Sequence, residues 1–226
     1  MPAVCEIRRV HRTMSDGWTK EQTEEFIENS RHAIKCLFDA LDDYNSAYIK
    51  AQQTVEEIER SKQMLSDLFM YQDQWSPNAN HYHTQYVERM KDLNKGQQEA
   101  KKDFDQRLEI ALESVGATVE SMSCLAGTLL QIAKQALSLR YSRKPGISAR
   151  KIVSQSIIEV IWEGRNHAMH WDEGEPRPDV KDMLNALSID IGISIDLGKN
   201  NSLAILDALR WKSSDDMIAD LKELTK

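Results

Sequence analysis

The chain has 226 residues, is 41% hydrophobic and 29% charged, and carries a formal net charge of −7 with nine glycines and five prolines. So little Gly and Pro favours helix almost everywhere. No apolar run approaches the roughly 18–20 residues needed to span a bilayer, and the net acidity argues against a general nucleic-acid coat protein.

The N-terminal MPAVCEIRRVHRTMSDG has no apolar signal core, so residues 1–18 read as an extension and not as a secretion signal. Thr19 to Trp75 contains neither Gly nor Pro. Ile27, Ile34, Leu37, Leu41, Tyr44, Tyr48, Ala51, Val55, Ile58 and Leu65 recur there at steps of three, four and seven. That heptad-like seam predicts one long helix over about 19–75, or two nearly collinear ones. It is also apolar surface on which two chains can pair. SPNAN at 76–80 is a break, and a second long helix is expected over about 81–141. Two long helices joined by a short break pack as an antiparallel hairpin.

SRKPGIS at 142–148 breaks the pattern again, and a third helix is expected over about 148–170. WDEGEPRP at 171–178 is a polar loop, and a short helix follows over about 179–187. SIDIGISIDLG at 188–198 alternates in polarity and reads as extended or irregular. Two short closing helices complete residues 19–226 as a single all-α helical bundle with a long hairpin.

Cys5, Cys36 and Cys124 are odd in number and lack metal or disulfide spacing, which points to a reducing cytoplasm. Cys124 sits among apolar residues and reads as a small core residue. His81 and His83 flank Tyr82 without a third ligand nearby. Neither a metal nor a cofactor is expected. The charge is unevenly spread. Ser121 to Ile158 holds no Asp or Glu but six cations, among them Arg140, Arg143, Lys144, Arg150 and Lys151. These five are candidate phosphate contacts; the alternative is an ordinary solvated turn.

The window leads into IWEGRNHAMHWDEG at 161–174. On a helical wheel Ile158, Ile161, Arg165 and Ala168 form one stripe, in which Arg165 stands where an apolar side chain is expected. Glu163, Asn166, His167 and His170 fall on another side. The spacing Arg165-Asn166-x-x-x-His170 resembles the R-x(4–6)-H motif of HEPN domains, in the form with Asn after the Arg. The resemblance covers the motif, the helical class and the bundle, but not the long hairpin.

It implies a compact all-α domain, and for many members a metal-independent ribonuclease with its site formed across a dimer. On that footing Arg165, Asn166 and His170 are the candidate catalytic residues. His170 serves as base or acid, Arg165 stabilises charge in the transition state, and Asn166 orients the phosphate or the histidine. His167 is a possible auxiliary, or else a solvent-exposed helix histidine. The implied partners are an RNA substrate, a second copy of the chain, and an antitoxin or phage-defence component. The competing reading is a non-catalytic helical scaffold or dimerisation module.

Overall fold

The computed structural model describes residues 17–73, 83–152, 154–192 and 195–226. The expected break at 76–80, His81, and residues 1–16 of the expected extension lie outside them. The chain is an all-α bundle: α1 (Lys20–Asp73), α2 (His83–Tyr141), β1 (Lys151–Ile152), β2 (Gln155–Ser156), α3 (Ile157–His170), α4 (Pro178–Ile191), α5 (Ser202–Ala208) and α6 (Ser214–Leu224). Among the described residues no helix is long and apolar enough to cross a membrane.

Packing divides the chain into two compact units. One joins the described residues up to Leu41 with Ser123–Lys226; the other is Asp42–Met122. In the first, Ile27, Ile34 and Phe38 of α1 are buried, as are Leu129, Leu130 and Leu137 of α2. The two helices run antiparallel here: the Trp18 amide donates to the Leu139 carbonyl. At Gly17 an added Cβ would stand 2.1 Å from the Arg140 carbonyl oxygen, so only glycine allows this approach. Met183 and Leu184 of α4, Ile205 of α5, and Met217 and Leu221 of α6 complete this core. Arg31 and Lys222 both bond Glu28, tying α1 to α6, and hold that exposed carboxyl down at about 2, Arg31 contributing most.

The Asp42–Met122 unit pairs a stretch of α1 with a stretch of α2, antiparallel again, with Lys62 bridged to Asp105 at 2.5 Å. Ile58, Ala111 and Met122 are its buried apolar side chains among the described residues. The heptad-like seam of α1 is only partly buried in this unit, Ile58 being buried and Tyr44 more than a third exposed, and Leu93, Leu112 and Val119 of α2 are as exposed as Tyr44 or nearly so. A two-helix pair has no third layer to cover the flanks of its seam.

Three further expectations change. The third helix begins at Ile157 and not near 148, because Lys151–Ile152 and Gln155–Ser156 are instead two short paired antiparallel strands, Lys151 opposite Ser156. Residues 188–191 continue α4 instead of being extended. Gly192 ends that helix in the left-handed region, φ 69°, with its amide on the Ser188 carbonyl. Cys124 is exposed and not a core residue; it shares α2 with buried Leu129 and Leu130 but faces the opposite way.

Candidate functional site

α3 carries the motif, and its position explains the site. The Ser156 hydroxyl accepts from the Ile158 amide at 3.3 Å and caps the helix. α3 then runs through the middle of its unit, against α2, α4 and α5. Gly164 makes this possible: a Cβ there would stand 2.9 Å from Ile205 Cγ2 and 3.6 Å from Leu130 Cδ1. A helix covered on several sides buries more than one stripe, which the wheel did not foresee. Ile158, Ile161 and Ala168 are buried as expected, but so are Glu163 and His167, at 4% and 2% exposure.

Burying Glu163 requires partners, and they form a chain. Lys144 Nζ donates to Glu159 Oε1 and Glu163 Oε1, each at 2.9 Å. The other Glu163 oxygen accepts from Asn166 Nδ2 at 2.9 Å. Asn166 Oδ1 accepts from Lys134 Nζ at 2.8 Å, which settles the sense of the amide because a lysine can only donate. Lys134 Nζ also lies 4.7 Å from the Trp162 ring centroid. Burial lowers the Lys134 pKa, and the nearby positive charge of Arg165 lowers it further. Burial lowers Lys144 too, but its bonds to Glu159 and Glu163 outweigh that and the net shift is upward.

The motif residues part company at this point. Arg165 is half-buried and its Nε donates to Gln131 Oε1. Five helical positions turn roughly 140°, so Arg165 and His170 leave α3 on different sides. Asn166 and His170, one turn apart, share a cleft of about 130 Å³ with His167, Glu173, Glu175, Pro176, Arg177 and Val180. His170 is exposed, with Nδ1 2.8 Å from Glu173 Oε1.

His167 is not a solvent-exposed histidine. Its Nε2 meets the Asn201 amide at 3.2 Å and the Lys199 carbonyl at 3.1 Å, while Nδ1 is buried without a partner. A neutral ring nitrogen accepts or donates but does not do both, so each tautomer satisfies one of these contacts. Burial depresses the His167 pKa, the Lys199 carbonyl opposing it. The unfolded chain therefore binds this proton at a higher pH than the folded one. The stability that the neutral ring provides is whole above the ordinary value of 6.5 and is lost progressively as pH falls below it toward the folded pKa. Urea midpoints should fall between pH 7 and pH 5, and His167→Gln should flatten that dependence. An equally steep fall in the variant would assign it to other groups.

The basic window is largely occupied. Arg140 donates to the Thr225 and Trp18 carbonyls at 3.3 Å, Lys144 serves the two glutamates, and Arg150 holds Asp220 and the Leu209 carbonyl. Leu209 and Thr225 are the C-caps of α5 and α6, where unsatisfied carbonyls attract cations. Arg143 and Lys151 are exposed. Sequence reasoning did not assign Lys134, Gln131 or Arg177 to the site; their distance along the chain from the motif gives no signal of it. Among the described residues no three His, Cys, Asp or Glu side chains gather as a metal site would need. Comparison of the chain with protein-family models, with curated proteins and with solved structures finds no match.

Proposed function

We propose that the protein is a HEPN-type endoribonuclease that cleaves RNA by attack of a 2′-OH on the adjacent phosphate, as the effector of a toxin–antitoxin or phage-defence system. The observation that carries this reading is the cleft at the end of α3, where Asn166 and His170 of the Arg165-Asn166-x-x-x-His170 motif stand together. His170 is exposed and can exchange protons with bound RNA. Glu173, at hydrogen-bond distance from Nδ1, orients its ring. Asn166 is fixed by Lys134 and Glu163 and so presents a constant edge to the cleft. One chain supplies one exposed motif histidine, and the reaction needs a base and an acid. A homodimer joining two such clefts supplies both.

This chemistry requires no divalent ion, since the nucleophile is the substrate's own hydroxyl. The products should carry a 2′,3′-cyclic phosphate and a 5′-OH, and EDTA should leave the rate unchanged. Activity lost in EDTA and restored by magnesium would count against the mechanism.

The rival reading, a non-catalytic binding module, draws support from the internal engagement of Arg140, Lys144 and Arg150. It leaves fewer free cations for RNA than the charge count suggests. Incubation of purified protein with RNA, beside the His170→Ala variant, separates the two.

A further inference from the structure

We propose that Arg177, outside the motif, is the phosphate-gripping residue of the cleft, holding an RNA phosphodiester opposite His170. The proposal rests on reading this cleft as the RNA site. It begins from the displacement of Arg165, which is bonded to Gln131 and does not line the cleft. A phosphodiester beside His170 therefore needs its positive charge from elsewhere. Arg177 lines the same cleft as Asn166 and His170. It is exposed, and no described carboxylate is paired with it.

The acids at the cleft have other partners. Glu175 is bonded to Lys181, which lowers its pKa, and Glu173 is bonded to His170. Buried Glu163 lies behind Asn166 and is held by Lys144. The positive charge of Arg177 is consequently not cancelled at close range. It lies close enough to Lys134 to lower the pKa of that ammonium, though less than burial and Arg165 do. The buried Nδ1 of His167, also a cleft residue, has no protein partner. Arg177 also sits at the N-cap of α4, so the positive end of that helix points the same way. A planar guanidinium can hold two phosphate oxygens at once, which an ammonium cannot.

Arg177 makes no side-chain capping bond, so replacing it leaves the cap of α4 as it is. The probe is a single-stranded RNA oligonucleotide with 2′-O-methyl groups throughout. It keeps every phosphate but has no attacking hydroxyl, so binding is read without cleavage. Fluorescence anisotropy across a salt series should show at least a tenfold weaker Kd for Arg177→Ala and a salt slope smaller by about one. Arg177→Lys should recover only part of the affinity, and Lys212→Ala, a control at an exposed cation outside the cleft, should change it less. Wild-type affinity and slope in Arg177→Ala overturn the proposal, as does a wild-type protein that does not bind the probe. Cleavage of unmodified RNA is scored separately. Binding that depends on Arg177 without any cleavage leaves the subsite standing and removes the ribonuclease reading. Cleavage that survives Arg177→Ala with unchanged KM does the reverse.

Discussion

His170→Ala should lower the single-turnover rate of RNA cleavage by about 10²–10⁴-fold, the range expected when a general acid or base is removed. Binding of the uncleavable oligonucleotide should change far less. The side chain is exposed and its bond is to exposed Glu173, so the fold has little to lose. Mixing variant and wild-type chains reports whether clefts are shared. If one base and one acid come from two copies of His170, each heterodimer should run far below half the wild-type rate. Independent sites give about half. A variant retaining full activity would take the ribonuclease reading down with it.

The second large effect is on stability. Lys144→Ala leaves Glu163, 4% exposed, facing Glu159 with only Asn166 as a partner. Breaking a fully buried pair from one side costs about 3–5 kcal/mol. The Lys144 side chain is 34% exposed, and water relieves part of that, so about 2–3 kcal/mol is expected. Adding Glu163→Gln to Lys144→Ala should recover some of the loss, since the amide carries no charge to strand. Equilibrium urea unfolding of the four corners of this cycle measures it. A cost below about 0.5 kcal/mol would mean that Glu163 finds water or another cation instead. Lys144 was singled out from its sequence as an RNA contact, and this cycle weighs that role against the structural one.

The helical class was legible because it rests on local signals. Scarce Gly and Pro and three-and-four spacing set the helices, although the alternating polarity of 188–191 hid the last turn of α4, which Gly192 ends. The placement of the motif at the end of α3 was legible for the same reason. The roles of single polar residues were not, because these are settled by what lies across a helix and not along it. A wheel assigns α3 one buried face; three neighbouring helices give it several, and Glu163 and His167 are buried as a result. Arg140 and Arg150 looked free because the carbonyls that hold them, of Thr225 and Leu209, are 85 and 59 residues away. Arg177 could not be linked to His170 by spacing, since a loop brings it back.

Among its described residues the Asp42–Met122 unit has a sparser apolar interior than the unit around α3. Three buried apolar side chains among its described residues supply little free energy beyond the helical hydrogen bonds themselves. Its described part should therefore open, and exchange its amides, sooner than the layered unit around α3. A fluctuation of that kind leaves the cleft intact, because each residue lining it belongs to Ser123–Lys226. A change in the length or sequence of the hairpin therefore replaces none of the residues that line the cleft.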